Sequence, residues 1–325
     1  MRHPRRWLTK DHPDPDRFHL EILARVSRLF LKPNDFGMSF SPLVDAFARC
    51  LGGCAADFAL LWDFASLHQR PRTDAQTVLF KQGLDALPMW YGHAESVVWQ
   101  QPSLPDGFAE RMRARGLAET YETSGWCFVE SSVSAGVKLG GRRLDLGKRT
   151  ELALENAYGG SLLDETRLDR VCSAARNAPL LPDRVTELLR TEKKFTNDAD
   201  VDMVAALYRA YFEGVTAGAR RLNFHRLQWG DTEAAQLGAV LPHFASLTAL
   251  DIGHNHFGLA GWTSVFNALR DSPNIKISTW DLSGEGIGPA IAEPLSEYIS
   301  VAGGLTSVSC RTRTTLFRFP NISLS

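Results

Sequence analysis

The sequence predicts a mixed α/β protein in two parts, a parallel sheet flanked by helices and then a short array of strand-and-helix repeats. At 325 residues the chain is longer than one hydrophobic core usually serves. Strand-like and helix-like segments alternate in the first half, whereas apolar residues recur about every 28 residues in the second. We therefore expect an α/β domain over residues 1–158, linking or adaptor helices over 159–196, and a repeat domain with an N-terminal capping helix over 197–325.

The overall composition favours a packed protein without a general affinity for nucleic acid or membranes. Hydrophobic residues make up 44% of the chain and charged residues 22%, which is ample for packed cores. The formal net charge of -1 gives no global attraction to nucleic acid or to an anionic membrane. Five cysteines lie scattered without a disulfide or zinc-site spacing, which fits a reducing compartment. We expect a cytoplasmic protein without a metal site.

In the first half, predicted helices and strands alternate. The capping-box pair Thr73 and Gln76 opens one helix. An apolar run over 58–64 predicts a strand buried on both faces, and such an order is typical of a parallel sheet. Residues 1–7 contain no strand-like run, so we expect the first strand of this sheet to be missing or degraded. The remaining predicted segments are helices over 18–31 and from Ser41, a short strand over 96–99, and a strand or solvated hairpin over 142–149.

A helix that begins at Ser124 would place one carboxylate at the edge of an apolar face. At about 100° per residue, its apolar stripe consists of Trp126, Val129, Val133 and Val137. Glu130 then lies within about 40° of Trp126, on the side that should be buried. Acidic side chains are seldom buried without a partner, so this glutamate indicates a functional site. The alternatives are a glutamate that reaches solvent beside Ser134 or one that pairs structurally with Arg70.

The second half repeats one apolar pattern. Over 247–258 the pattern is apolar at its first, fourth, sixth and eleventh positions, with asparagine at the ninth and glycine at the twelfth. It recurs 28 residues earlier and 30 residues later without the asparagine, and it begins once more before Cys310. A helix-like segment follows each full pattern, over 234–241, 264–269 or 291–299. A strand and helix of this length can bury their apolar faces only against a neighbouring copy.

This half resembles leucine-rich repeats of the ribonuclease-inhibitor type, from Arg220 to Cys310. The resemblance implies a short solenoid whose strands line a concave surface that binds a protein partner. It places these residues on that surface: Asn223, His225, Asp251, Gly253 and Asp281. The tail over 311–325 leaves the pattern, and we expect a divergent cap or a disordered end there.

Element order in the first half, together with Trp126, Cys127 and Glu130, resembles the Toll/interleukin-1 receptor (TIR) domain from Phe18 to Gly140. In that family a Trp-Cys-x-x-Glu segment begins the helix after the third strand. Catalytic members hydrolyse NAD at the bond between nicotinamide and ribose, and their essential glutamate would fall on Glu130. Some TIR-like proteins also carry a Trp-Asp-Phe/Tyr-x-Ser-x-x-Gln motif, which matches Trp62, Asp63, Phe64, Ser66 and Gln69.

The TIR resemblance implies a ligand site beside Glu130. Its polar groups would be Asp63, Ser66 and Gln69, and an aromatic base could stack on Trp126, Tyr121 or Trp62. A carboxylate there could stabilise the positive charge that builds on the ribose as the cationic leaving group departs. Alternatively, Asp63 caps the turn after its strand, and Cys127 is a packing thiol.

Two functions follow from the two resemblances. The first is an intracellular recognition and signalling protein, in which the repeats bind a protein partner and the TIR-like domain transmits the event by self-association. The second is an NAD(+) nucleosidase in which Glu130 is the catalytic carboxylate, so that NAD is a substrate and no cofactor is required. A third possibility is a transferase that acts on deoxynucleosides. None of these three hypotheses implies nucleic acid or a membrane as partner.

Overall fold

A computed structural model of the chain describes residues 14–31, 59–138, 142–148, 172–272, 275–282, 289–302 and 307–309. The predicted helix from Ser41, the expectation for residues 1–7 and the expectation for the tail over 311–325 lie outside the described residues. The chain separates into two compact units. Unit 1 comprises Met1–Ser134, Lys138–Ala174 and Thr186–Leu207, and unit 2 comprises Ala135–Val137, Ala175–Val185 and Tyr208–Ser325.

The architecture is mixed α/β with parallel strands, as expected from the sequence. Residues up to 148 contain helices Phe18–Leu31 (α1), Asp63–Ser66 (α2), Asp74–Asp85 (α3), Leu87–Gly92 (α4), Phe108–Arg113 (α5) and Gly125–Ala135 (α6), with strands Val98–Gln100 (β1) and Arg143–Asp145 (β2). Two further helices follow, Pro182–Thr191 (α7) and the 19-residue helix Asp200–Gly218 (α8). Of the helices that the structure describes, none is long and apolar enough to cross a membrane.

In unit 1, strands β1 and β2 pair in parallel and carry different chemistry on their two faces. Trp99 is in register with Leu144, and both pack into one buried core with residues of α1, namely Ile22, Leu23 and Val26. Because side chains alternate along a strand, Gln100 and Arg143 face the other way, and there they donate hydrogen bonds to serines of α6. A helix therefore covers each face of this strand pair, with apolar contacts on one side and polar contacts on the other.

Three local predictions in unit 1 can be compared with the structure. The capping box is confirmed, since Thr73 Oγ1 accepts from the backbone of Gln76 and the Gln76 side chain accepts from the backbone of Thr73. A strand does form at Arg143–Asp145, within the predicted segment 142–149. The strand predicted over 58–64 is not formed in the second part of its described residues, 59–64. Helix α2 begins at Asp63 instead, where the Ser66 N–H donates to the Trp62 carbonyl at 2.7 Å and the Ser66 hydroxyl accepts from the Trp62 N–H.

Unit 2 contains a four-stranded parallel sheet in sequential order. Its strands are Arg221–Asn223 (β3), Ala249–Asp251 (β4), Thr279–Asp281 (β5) and Ser307–Ser309 (β6). Helices Asp231–Val240 (α9), Leu259–Arg270 (α10) and Pro289–Val301 (α11) connect successive strands. The strand register repeats at the 28- and 30-residue intervals found in the sequence, because Leu222 pairs with Leu250 and Leu250 pairs with Trp280.

The core of unit 2 is built from equivalent positions of successive copies. In β3, β4 and β5 the middle residue of the strand is buried, and so is the apolar residue two positions later. These pairs are Leu222 with Phe224, Leu250 with Ile252, and Trp280 with Leu282. Aromatic side chains fill the space towards the helices, with Phe266 stacked on Trp262 and Tyr298. Each strand and helix thus buries its apolar face against the next, as the repeat pattern predicts.

Asn255, at the ninth position of the pattern, holds two neighbouring copies together. Its side chain is 4% exposed. The amide nitrogen donates to the carbonyls of Phe224 (2.9 Å) and Ile252 (2.8 Å). The amide oxygen accepts from the backbone N–H groups of Leu227 (3.0 Å) and Trp229 (3.2 Å). One buried side chain therefore pairs four backbone groups that would otherwise be costly to bury.

A second polar link joins the helices of successive copies. The Asp231 side chain, at the start of α9, accepts hydrogen bonds from the backbone N–H groups of Gly258 (2.6 Å) and Gly261 (3.1 Å) at the start of α10. A Cβ atom at position 261 would lie 2.5 Å from the Asp231 carboxylate, so glycine is required for this approach. The first turn of α10 is thus capped by a residue of the preceding copy.

Candidate functional site

Helix α6 carries its buried residues on a broader surface than the predicted stripe. Val129 and Val133 are buried as expected, whereas Trp126 is only half-buried and Val137, also half-buried, lies beyond the end of the helix. The indole Nε1 of Trp126 donates to Asp200 Oδ2 at 3.0 Å, so this tryptophan has a polar partner within unit 1. Cys127 is 1% exposed, which fits the packing alternative for this thiol.

Polar groups from three segments meet on the side of α6 that faces the strands. The Gln100 amide donates to Ser131 Oγ at 3.1 Å. The Arg143 guanidinium donates to Ser134 Oγ at 3.1 Å and to Ser131 Oγ at 3.0 Å. Gln100 and Arg143 are 7% and 3% exposed, so these contacts are almost fully removed from water. We call this group, together with Tyr121 and Glu130, the α6 polar cluster.

The electrostatics of Tyr121 link Glu130 to this cluster. Burial is the main reason why the pKa of the Tyr121 phenol lies well above its ordinary value. Negative charge on Cys127 and on Glu130 raises this pKa further, whereas Arg143 and the Gln100 amide lower it. The phenol therefore stays protonated across the physiological range. The same interactions place the carboxylate of Glu130 and the cation of Arg143 in the surroundings of one buried hydroxyl.

Glu130 itself is half-buried, and it directly precedes Ser131 in the helix. The sequence suggested Arg70 as a structural partner for this carboxylate. The buried cation of the α6 polar cluster is Arg143, which donates to the hydroxyl of Ser131, the residue next to Glu130; the pairing of Glu130 with Arg70 stays a prediction. Chemically, this arrangement can hold a carboxylate beside a neutral phenol and a fixed positive charge, in surroundings largely shielded from water.

The other predicted ligand residues lie on α2 or close to its ends, where the described contacts of Ser66 and Gln69 are local. Ser66 Oγ accepts from the backbone N–H of Trp62 at 3.0 Å. The Gln69 amide donates to the Leu67 carbonyl at 2.9 Å. Trp62, Asp63 and Gln69 are half-buried, and Ser66 is exposed. The structure thus joins Trp62 to Ser66 by a hydrogen bond, and it places Glu130 where its charge acts on the phenol of Tyr121. The side chain of Phe64 lies outside the described part.

In unit 2 the structure brings together the predicted partner-binding residues whose side chains it describes. Asn223 Nδ2 donates to Asp251 Oδ2 at 3.2 Å, and His225 Nδ1 lies 3.2 Å from Asp251 Oδ1. The backbone N–H of Gly253 donates to Asp251 Oδ1 at 3.1 Å. Asp281 occupies the register position next to Asp251 on β5, although its side chain lies outside the description. We call Asn223, His225, Asp251 and Asp281 the strand-end row.

The loops after β3 and β4 continue the strand-end row with exposed polar side chains. The His254 ring meets the His225 ring edge to face, with centroids 4.8 Å apart. Arg226, Gln228 and His254 adopt positive φ values of 56°, 57° and 60°. Residues with a Cβ rarely take this conformation, so these loops keep their shape at some energetic cost. Among the described residues, no group of three or more histidine, cysteine and acidic side chains is placed to hold a metal ion.

Sequence reasoning missed Gln100, Ser131 and Arg143 as members of the α6 polar cluster. A signal was nevertheless present, because Arg143 alternates with Leu144 in a short strand-like segment, and alternation predicts one polar face. Only the register of β1 with β2 shows that Gln100 and Arg143 share that face. Comparison with known proteins adds no assignment for either candidate site: no protein-family model matches the chain, and no curated protein matches it.

Proposed function

We propose that the chain is a cytoplasmic recognition and signalling protein, in which unit 2 is a short leucine-rich-repeat solenoid that binds a protein partner and unit 1 is a TIR-like domain that transmits the signal. One observation carries this proposal: successive copies in unit 2 bury equivalent apolar residues and leave Asn223, His225 and Asp251 together at the strand ends. Repeat arrays characteristically present such an extended row to a partner. The buried Asn255, which pairs the backbone of two copies, supports the repeat interpretation.

Partner capture tests this proposal. We expect the tagged full chain to retain a protein from extracts of cells that express it, and Asn223→Lys with Asp251→Lys to lower recovery about tenfold, because the row would lose its acceptor groups and reverse its charge. Arg209→Glu on α8 is the control, since it also changes an exposed charge in unit 2. Equal recovery with the row variant and the control would exclude the strand-end row as the binding surface. Light scattering of the purified chain would test self-association.

The α6 polar cluster favours a second candidate function, hydrolysis of NAD with Glu130 as the catalytic carboxylate. Two features support it: the half-buried position of Glu130 and its electrostatic coupling to a phenol that stays neutral. In such surroundings a carboxylate stabilises a developing sugar cation more strongly than it would in water.

Release of nicotinamide from NAD tests this second candidate. The purified chain should release nicotinamide, and Glu130→Gln should lower the rate about a hundredfold or more, because the neutral amide cannot stabilise the cation. Glu122→Gln is the matched control, since Glu122 is an exposed glutamate of the preceding turn. A rate that is the same for both variants would eliminate Glu130 as the catalytic group. Measuring the turnover of deoxynucleosides in place of NAD distinguishes the transferase from the NAD hydrolase.

A further inference from the structure

The sheet of unit 2 exposes one face with an uneven distribution of charge. Leu222 in the middle of β3 is buried, whereas Arg221 and Asn223 on either side of it are exposed. Because side chains alternate, Arg221 and Asn223 mark the exposed face. Arg221 is in register with Ala249, and Asn223 is in register with Asp251. A positive charge therefore stands on β3, and a negative charge stands one strand further along and two residues later in register.

The carboxylate of Asp251 is held in a fixed orientation on this face. Its Oδ1 receives the backbone N–H of Gly253 and lies within hydrogen-bonding distance of His225 Nδ1, while Oδ2 receives the amide of Asn223. The side chain still keeps 32% of its exposure. A partly exposed group with a fixed orientation loses little conformational freedom when a partner's charge docks on it.

The spacing of the two charges is close to that of alternate residues in an extended chain. Neighbouring strands lie about 4.8 Å apart, and two residues along a strand span about 6.8 Å. The diagonal from the Arg221 position to the Asp251 position is therefore about 8 Å, roughly 1.5 Å more than the span between residues i and i+2 of an extended peptide, a difference that long, flexible charged side chains bridge. The small residue Ala249, in register with Arg221, leaves room for the backbone of such a segment.

From this juxtaposition we infer that the exposed sheet face binds an extended protein segment with an acidic residue opposite Arg221 and a basic residue, two positions away, opposite Asp251. The inference rests on the proposed recognition function and adds the partner's charge pattern. Asp281 occupies the next register position on β5. Charge complementarity of this kind fixes the register of a bound segment and excludes segments of the wrong charge.

Short fluorescent peptides test the pattern directly. In these probes serine alternates with glutamate or lysine in every combination, and binding to the full chain is measured by anisotropy at low salt. The native chain should prefer peptides that carry one glutamate and one lysine. Arg221→Glu should shift the preference to two lysines, and Asp251→Lys should shift it to two glutamates. We expect each shift to be about two- to fivefold, as exposed ion pairs usually contribute.

Matched controls separate local charge from total charge. Arg209→Glu and Asp183→Lys make the same charge changes at an exposed ion pair of the same unit, where the two side chains lie 2.6 Å apart, and they should leave the native preference intact. Asp251→Asn keeps an oxygen for the Gly253 N–H and should abolish discrimination between glutamate and lysine at one peptide position. Circular dichroism of each variant confirms the fold.

The inference and the proposed function can fail separately. A peptide preference that follows total peptide charge, or that Arg221→Glu and Asp251→Lys leave unchanged, overturns the charge pattern. If these two variants nevertheless abolish partner capture, the recognition function stands and only the charge pattern is wrong. If the peptide preference shifts as expected while partner capture is unaffected, the charge pattern is supported and the proposed recognition surface for the cellular partner is wrong.

Discussion

The α6 polar cluster and the strand-end row contain similar side chains in opposite surroundings. Each contains a carboxylate and polar side chains from neighbouring segments, but Gln100 and Arg143 in the first are 7% and 3% exposed, whereas the Asp251 side chain in the second keeps 32% of its exposure. Water therefore screens the hydrogen bonds of the second cluster more than those that Gln100 and Arg143 make in the first. Similar residues should therefore determine stability in unit 1 and partner choice in unit 2.

The largest effect is expected from removing the buried cation of the α6 polar cluster. Arg143→Met should lower the free energy of unfolding by about 3–5 kcal/mol, because the hydroxyls of Ser131 and Ser134 lose the charged donor that they share. Urea denaturation measures this change. Arg221→Met, on the exposed sheet face, should stay within about 0.5 kcal/mol. Comparable losses at both positions would remove the distinction between the two regions.

A smaller effect is expected inside unit 2, where two asparagines offer a direct contrast. Asn255→Ala should cost about 2–4 kcal/mol, because the backbone groups it pairs would be buried without partners. Asn223→Ala should cost less than about 1 kcal/mol, because its exposed groups can turn to water. Thermal unfolding of the two variants gives the comparison. A larger loss at Asn223 would mean that the strand-end row supports the fold instead of a partner.

The smallest effect concerns alkaline pH and a buried tyrosine in unit 2. Burial raises the pKa of Tyr208 from 10.0 to about 12, although its hydrogen bond with Leu180 acts in the opposite direction. Because the folded state keeps this proton longer than the unfolded state, the stabilisation is complete below pH 10 and is lost as the pH rises through about 12. The loss should be about 2–3 kcal/mol.

Urea titrations of the native chain and of Tyr208→Phe at several alkaline pH values measure this difference. The variant should show a shallower decline in the free energy of unfolding between pH 10 and 12, since it lacks the phenol. The pKa of Tyr121 is also raised by burial, so part of the alkaline dependence should persist in the variant. Identical slopes in the two proteins would show that the hydroxyl of Tyr208 reaches water in the folded state.

The arrangement of unit 2 was more predictable from the sequence than the α6 polar cluster. The spacing of Leu222, Leu250 and Trp280 is a local pattern, and each copy must pack on the next one, so the pattern fixes the pairing of the strands. The sequence also anticipated that Asn223 and Asp251 would lie together, because the same position of successive copies falls at the same strand end.

The surroundings of Glu130 depend on contacts between distant segments, which the periodicity of neighbouring residues does not predict. Helical spacing brought Glu130 to the edge of the Val129 and Val133 face, and the structure confirms that both valines are buried. Arg143 joins the cluster through the pairing of β1 with β2, a contact between segments more than 40 residues apart. The strand predicted over 58–64 failed for a related reason. Apolar composition alone did not reveal that the backbone and the hydroxyl of Ser66 would both bond to Trp62 and start a helix at Asp63.

The hydrogen bonds from Gly258 and Gly261 to Asp231 have a consequence for how unit 2 opens. A helix whose first amides are held by the preceding copy cannot fray alone, because its fraying also strips that copy of two hydrogen bonds. Local opening of one copy should therefore spread to its neighbour, because the two copies share these hydrogen bonds. Hydrogen exchange at the amides of Gly258 and Gly261 would then report the opening of two helices at once, at rates closer to those of the core than of a helix end.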